Sequence, residues 1–323
     1  MLNINQKAGQ PQLMEGCSRC GGKVFYTRRY SGESLCSSCF NASIVEKTRR
    51  TISKYGMIRH GERVGVAVSG GKDSLSLLSV LHRLSDRHGS QLVAISVDEG
   101  VAGYRDEALE HAKSATAQLG VEHLTISYKD LFGFSLDGAL NWKEEREVSS
   151  CSFCGVLRRR AIDEAAERAK VSVVATGHNL DDYIQTFMLN LLHGDLSRLG
   201  WLDPAYADAS FAIRRVKPFM EVYEEEVALF AFQSGIPFQS VSCPYMHEGL
   251  RTEVRDYLNL IEASHPGIKN VLLRSSLDVI SRYTGTDRKA SVPCSDCGRP
   301  SSSDLCNVCR MKATIKQHVN YTG

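Results

Sequence analysis

Residues 63–89 read RVGVAVSGGKDSLSLLSVLHRLSDRHG, and this stretch decides the fold. RVGVAVS (63–69) is apolar and rich in β-branched residues, the texture of a buried strand. DSLSLLSVLHRLSDRHG (73–89) sets Leu77, Leu78, Leu81 and Leu84 on one helical face and stops at Gly89. Between them lies Ser69-Gly70-Gly71-Lys72-Asp73-Ser74. Two glycines at a strand-to-helix corner let backbone N–H groups face an anion, and the helix N-terminus adds roughly half a positive charge. The spacing differs from the G-x-x-x-x-G-K-[ST] phosphate loop of kinases and GTPases. Working outward, strand and helix alternate: QLVAISVD (91–98), RDEALEHAKSATAQLG (105–120), EHLTISY (122–128), CGVLRRRAIDEAAERAK (154–170), VSVVATG (171–177) and DDYIQTFMLNLLHG (181–194). That alternation predicts an α/β fold with a doubly wound parallel sheet. EVYEEEVALFAFQSG (221–235), RTEVRDYLNLIEAS (251–264) and IKNVLLRSSLDVISRY (268–283) read as further helices, packed on the sheet or forming a small subdomain.

The 323 residues exceed one compact core, so more than one unit is expected. No apolar run approaches the ~18 residues of a membrane span. The first residues, MLNINQKAGQPQLMEG, contain no apolar h-region, which argues against secretion. Eleven cysteines then point to metal ligation in a reducing, cytoplasmic setting rather than to disulfides. The net charge of +2 is segregated. Residues 1–63 carry 11 Lys/Arg against 4 Asp/Glu, and residues 285–323 carry 6 against 3, leaving an acidic middle. Basic ends suggest contact with a polyanion, although part of the excess would only neutralise metal thiolates.

The cysteines fall in a 4 + 3 + 4 pattern. Cys17, Cys20, Cys36 and Cys39 form C-x2-C-x15-C-x2-C, and Cys294, Cys297, Cys306 and Cys309 form C-x2-C-x8-C-x2-C. Each quartet fits a tetrahedral structural zinc. Cys151, Cys154 and the distant Cys243 remain. Read from the residues, these three allow a dithiol redox pair, a catalytic cysteine with a resolving partner, or an iron–sulfur cluster with one iron lacking a protein ligand.

SGGKDS directly after an apolar strand resembles the PP-loop of ATP pyrophosphatases, which split ATP into AMP and pyrophosphate while adenylating a substrate. The resemblance narrows along the chain. SGGKDS, a VDEG strand end (97–100), CxxCGxxRRR from Cys151, TGHNLDD (176–182), LLHGD (191–195), CPY (243–245) and RTEVRDYLN (251–259) occur in one order between two zinc knuckles. This is similar to the tRNA 2-thiouridine synthetases of the TtcA/TtuA family, TtuA-type branch, from residue 17 to about 312.

That resemblance implies ATP-dependent adenylation of a uridine C2 oxygen, then sulfur transfer to give 2-thiouridine, with T-loop position 54 as the preferred target. Wobble uridine 34 and 2-thiocytidine synthesis are the neighbouring alternatives. It implies Ser69, Gly70, Gly71, Lys72, Asp73, Ser74, Asp98 and Gly177 around ATP, with Asp73 near Mg²⁺. Cys151, Cys154 and Cys243 would hold a [4Fe–4S] cluster, with Asp182 and Arg158 at the reacting centre. The implied partners are tRNA and a ubiquitin-like sulfur carrier ending in a thiocarboxylate. A homodimer is allowed, and a membrane has no role. Arg158 stands where close relatives are expected to carry lysine, and arginine cannot act as a base. Cys39 stands where relatives use histidine.

The expected organisation is a zinc module at 1–40, a basic linker helix at 41–62, the PP-loop domain at 63–284 and a second zinc module at 285–323. Arg28, Arg29, Arg49, Arg50, Lys312 and Lys316 are candidate RNA contacts, with Tyr26 and Tyr30 as stacking platforms. Asp181 reads as a helix cap and Asp182 as the functional acid. His178 and His193 read as structural. From a different class, a non-catalytic zinc-ribbon RNA-binding protein would show the same knuckles.

Overall fold

The computed structural model describes residues 16–140, 149–204, 213–246, 249–283 and 292–319. Residues 1–15 and 285–291, included in the expected terminal modules, lie outside that set. The chain opens with a hairpin of β1 (Tyr26–Thr27) and β2 (Ser34–Leu35), followed by α1 (Ser37–Lys54). α1 starts inside the first cysteine module, because Cys36 is its N-cap. The basic helix expected from residue 41 therefore grows directly out of the knuckle.

The core runs β3 (Arg63–Ala67), α2 (Lys72–His88), β4 (Gln91–Asp98), α3 (Arg105–Leu119), β5 (Glu122–Ser127), the short α4 (Tyr128–Phe132) and α5 (Leu136–Leu140), α6 (Ser150–Arg168), β6 (Val173–Ala175) and α7 (Leu180–Leu192). β7 (Arg214–Val216), α8 (Glu224–Gln233), α9 (Leu250–Ser264) and α10 (Ile268–Tyr283) follow. A second hairpin, β8 (Val292–Pro293) with β9 (Pro300–Ser301), leads to α11 (Asn307–Val319). The central sheet has the order β5-β4-β3-β6-β7, parallel throughout. This is the doubly wound sheet that the alternation predicts. β7 was not legible beforehand: three residues, two of them arginine, carry no strand periodicity. They pair only because β6 offers an open parallel edge.

The two faces of the sheet bury separate cores. Val64, Val66 and Ala94 turn to one face, with Leu77, Leu78, Leu81 and Leu84 of α2, Ile184 of α7, Phe230 of α8 and Phe40 and Ile44 of α1. Val93, Ile95 and Val97 turn to the other, with Leu157, Ala161 and Ala165 of α6. Cys294, Cys306, Val308 and Cys309 join that second core. Each cysteine module is thus seated on its own face rather than tethered beyond the domain.

A charged network fixes the N-terminal module. Glu226 of α8 is fully buried and meets Arg28 Nε at 2.5 Å, Tyr30 Oη at 2.9 Å and Lys47 Nζ at 3.4 Å. Arg28 also donates to Glu33 and Ser43, and Tyr30 stacks on Tyr223 with ring centroids 4.7 Å apart. Burial alone would raise the Glu226 pKa, but Lys47 and Arg28 outweigh it and hold the carboxyl below its usual value. Removing one partner from a buried network leaves uncompensated charge. Glu226→Ala is expected to lower unfolding stability by about 3–5 kcal/mol in urea titrations of the metal-loaded chain. Arg50→Ala, which loses only an exposed pairing with Glu46, should stay within about 0.5 kcal/mol. Equal, small effects would show that the network anchors nothing.

Candidate active site

The loop Ser69–Ser74 leaves the sheet at the end of β3 beside β6, where the chain from β3 goes on to β4 and the chain from β6 to β7, away from each other in the strand order. In open α/β sheets ligands bind at such a point. Two glycines make the approach possible. Gly70 has φ +85°, and a Cβ there would lie 2.2 Å from the Ala108 carbonyl oxygen of α3. A Cβ on Gly177, after β6, would lie 2.9 Å from Ser74 N. Ser74 closes the loop from inside: its hydroxyl accepts from Ser69 N at 3.0 Å and donates to Gly71 O at 3.0 Å. Lys72 Nζ pairs with Asp73 at 2.8 Å and with Glu224 at 2.9 Å. Together they hold its pKa above the ordinary value against the effect of burial. The other Asp73 oxygen accepts from Asn179 Nδ2 at 3.2 Å. Asp98, expected near the nucleotide, turns its carboxylate to Gly100 N at 2.8 Å and shapes the loop after β4.

Cys151 and Cys154 lie in the first turns of α6, which begins four residues earlier than the expected helix, behind a Ser149 cap. The Cys243 segment arrives from the far end of the core. Met246 N bonds Cys243 O at 2.9 Å to form a turn, and Tyr245 Oη anchors it on Asp137 of α5 at 2.8 Å. Cys151 Sγ lies 3.6 Å from Tyr245 O, and Cys243 is close enough to help push the Cys154 pKa up, after burial as the main cause. The fold therefore brings the CPY turn against the CxxC. Among the described residues, only the two quartets place every ligand atom within 4.8 Å of the others. The looser trio does not suit one small ion; ligands bound to different irons of a cluster require a wider spread, and an all-thiolate donor set is what iron–sulfur clusters take.

Arg158 Nη2 lies 3.3 Å from Cys154 Sγ, and its Nε lies 2.7 Å from Glu99 Oε1. Burial opposes the Arg158 charge, but Glu99 and Cys154 more than offset it, so the guanidinium stays cationic. Glu99 and its second partner Arg105 are both buried. Neither was singled out from the sequence. The acid beside Asp98 in VDEG was the available signal.

Asp182 performs the capping expected of Asp181. It forms a capping box with Asn179 at the start of α7, while Asp181 caps α8 through Glu224 N at 2.8 Å and pairs with the buried Lys269. Asp182 still faces the site: burial first, then Asp73 and Glu224, push its pKa up to about 6. His178 Nδ1 meets Thr176 Oγ1 at 2.8 Å. His178 is exposed to water, with protein packed closely around its ring. Burial, Lys217, Arg251 and Arg158 bring its pKa down to about 4, so it is neutral. Arg198 and Arg215 act likewise on Arg159, after burial. Lys217, Arg251 and Arg158 thus lie near His178, and Arg215 and Arg198 lie near Arg159. Lys217, just after β7, has no carboxylate partner among the described residues, and burial lowers its pKa to about 8. His193 is structural, bonding Leu189 O at 2.7 Å near the end of α7.

The quartets fit zinc in detail. Tetrahedral ligation at about 2.3 Å sets sulfurs roughly 3.8 Å apart, and Cys297–Cys306 and Cys20–Cys36 stand at 3.8 and 3.5 Å. Backbone N–H groups of Cys39 and Cys306 point at thiol sulfurs. Arg160, from the acidic middle of the chain, reaches Cys297 and Cys306 at 3.7 and 3.6 Å, so at the second quartet this cation comes from outside the basic ends. Two expected RNA contacts, Arg28 and Tyr30, are corrected, whereas Arg29, Arg49 and Arg50 stay at the surface. Arg28 and Tyr30 belong to the buried Glu226 network, and Arg29 donates to Ala263 O at 2.8 Å. Arg49 and Arg50 both pair with Glu46, and Tyr26 packs on Phe40. Lys312 is half-exposed, and the Lys316 side chain lies outside the described part.

The sequence matches the PP-loop domain over residues 42–259 and the N-terminal LIM domain of the 2-thiouridine synthetase TtuA over 17–41. It is 35% identical to the cytoplasmic tRNA 2-thiolation protein 1 of Chlamydomonas reinhardtii, covering 91% of this chain and 83% of that one. The Laccaria bicolor protein of that name is 32% identical over 97% and 88%. Among solved structures, the U34-tRNA thiolase NcsA from Methanococcus maripaludis, with its [4Fe–4S] cluster, superposes with a TM-score of 0.79 at 30% identity, covering 93% of this chain and 96% of that one.

The Asp182 environment has a stability signature. A carboxyl whose folded pKa is raised is not penalised below its unfolded value, and the penalty grows as pH rises through about 6. Asp182→Asn keeps an acceptor for the Asn179 amide and removes the charge. It should be more stable than wild type by about 1 kcal/mol at pH 7.5, converging with it near pH 4 in thermal melts. A less stable variant at pH 7.5 would contradict this account.

Proposed function

The chain belongs to the PP-loop family of tRNA 2-thiolation proteins, and from that premise we propose how its residues divide the reaction. It is a tRNA sulfurtransferase of the ATP pyrophosphatase class. The observation that carries the site reading is the CPY turn lying against the CxxC at the same sheet edge as the glycine loop.

In this reading the loop amides and the α2 N-terminus hold the pyrophosphate of ATP. Lys72 leaves Glu224 for phosphate, and Asp73 faces Mg²⁺. The uridine C2 oxygen attacks the α-phosphorus, pyrophosphate departs, and the N3 proton passes to an Asp182 oxygen, whose pKa near 6 suits it as a base. Sulfur then attacks C2 and AMP leaves with the original oxygen. Cys151, Cys154 and Cys243 would hold a [4Fe–4S] cluster, which supplies an iron without a protein ligand to hold incoming sulfur. Arg158 stays charged beside it and stabilises anion rather than moving protons. The sulfur donor is a ubiquitin-like carrier with a C-terminal thiocarboxylate. The two quartets hold zinc, and the setting is cytoplasmic.

The cationic surface of Lys217 and Arg251 around His178, with Arg198 and Arg215 beside Arg159, receives the tRNA, while Arg28 is taken up in the buried Glu226 network. The similarity to a U34 thiolase supports wobble uridine 34 as the target. The order of the TGHNLDD, CPY and RTEVRDYLN segments and the TtuA N-terminal domain match favour T-loop uridine 54 as the second reading. Nucleoside mass spectrometry of mapped tRNA fragments from a deletion strain is expected to show 2-thiouridine lost at position 34. Loss at 54 alone selects the second reading, and no loss refutes both. Anaerobically reconstituted protein should be brown, and Cys243→Ala pale.

Lys217 adds a pH dependence. A lysine with a lowered pKa loses its charge as pH rises through about 8, so tRNA affinity should fall between pH 7 and 9. Lys217→Arg, charged throughout, should flatten that fall in filter-binding assays at fixed salt. An identical slope in both proteins would remove Lys217 from the tRNA surface.

A further inference from the structure

The reaction imposes an order: C2 must be activated before sulfur attacks. The two chemistries occupy different elements, the nucleotide loop after β3 and the thiols on α6. A continuous chain of charged contacts joins them. Arg105 Nη1 donates to the loop carbonyl of Ser69 at 2.7 Å. Arg105 Nε lies 2.9 Å from Glu99 Oε2, an ion-pair contact without the alignment of a hydrogen bond. Glu99 Oε1 meets Arg158 Nε at 2.7 Å, and Arg158 Nη2 reaches Cys154 Sγ at 3.3 Å.

We propose that Glu99 is a positioning residue that couples nucleotide binding in the Ser69–Ser74 loop to the first turns of α6, where Cys151 and Cys154 sit. The proposal rests on reading that loop as the nucleotide site. Its physical basis is the unequal freedom of the members. The Glu99 and Arg105 side chains are only 5% and 6% exposed, whereas that of Arg158 is 50% exposed. The backbone on either side of Glu99 is also held: its carbonyl accepts from Leu136 N at 2.7 Å, and a Cβ on Gly100 would lie 2.6 Å from Ser135 Cβ. A shift of the Ser69 carbonyl therefore passes through two confined side chains to one that can move. Arg158 has two partners to choose between, the Glu99 carboxylate and the Cys154 sulfur. That is the kind of contiguous network through which two sites share a free energy. A buried ion pair is by itself weak evidence of stabilisation, so burying a carboxylate between two guanidiniums here calls for another role.

Linkage makes the coupling reciprocal, typically on the order of 5–150-fold. The test is hydrogen exchange by mass spectrometry on the full zinc-loaded chain, with and without saturating Mg²⁺ and AMPCPP, the ATP analogue whose α,β-methylene bridge replaces the bond this reaction breaks. In the wild type, the nucleotide should slow exchange in a peptide over 69–77 and, by about fivefold, in one over 150–160. In Glu99→Gln the first protection should persist and the second vanish. Arg158→Gln alters only the half-exposed end of the chain and should behave like Glu99→Gln; it carries the test if the buried variant fails to fold. An α6 peptide unprotected in the wild type, or protected equally in the folded variants, overturns the proposal. Failure to protect 69–77 in the wild type overturns the nucleotide reading itself, and the relay with it.

Discussion

Between the C-terminal ends of β3 and β6 backbone touches backbone, and the rest of the site depends on that contact. Gly70 lets the loop press on α3 at Ala108, and Gly177 lets the chain after β6 press on the start of α2. A methyl group at either position would meet main-chain atoms that cannot rotate away. With both absent, the N-terminus of α2, the Asn179–Asp182 box and the Asp73 carboxylate share one edge of the sheet. The position is set by topology, because β3 leads to β4 and β6 to β7 in opposite directions along the sheet. The loop is also held from a distance: Gln239 N donates to Gly70 O at 3.0 Å, so the segment leading to Cys243 is tied to the phosphate corner before it reaches the thiols.

Three adjacent arginines show how one helix joins several tasks. Arg158 faces Glu99 and Cys154, Arg159 lies near Arg215 and Arg198, and Arg160 faces the thiols of the second quartet. Consecutive helical residues point about 100° apart, so RRR on α6 presents charge to three surroundings at once. Arg299 adds a clamp from the C-terminal module to Glu164 and Glu167 on the same helix. The helix bearing the CxxC is thus fixed at one side by the second metal module and at the other by the core. The N-terminal module is bound differently, through the buried carboxylate of Glu226 on α8. Each module is packed onto the domain, and outside the modules Lys217, Arg251 and Arg158 gather near His178.

The architecture was legible early because its signals are local. A continuous apolar, β-branched run and a 3.6-period leucine face mark β3 and α2, and C-x2-C spacing marks each quartet. Where the signal was weak the reading failed for identifiable reasons. β7 is too short to show a period and exists because β6 offers a partner. α6 begins at Ser150 because Ser149 caps it, a feature hidden in a serine pair. Asp181 and Asp182 are adjacent and chemically alike, and only the position of α8 decides that the first caps a neighbouring helix while the second closes its own.

The sequence by itself determined the alternating α/β order, the glycine corner, the grouping of the cysteines and the family resemblance, since each is a property of spacing along the chain. Tertiary structure alone decided which charges are available. Arg28 and Glu226 meet across 198 residues, and Cys151 meets the CPY turn across 94. No local pattern encodes such pairings, because they arise from how two elements pack on a shared core. For the same reason Arg28 became an internal anchor, Glu99 became a buried bridge, and Lys217, one cation among many in the sequence, lies over the Tyr183 ring with no carboxylate partner among the described residues.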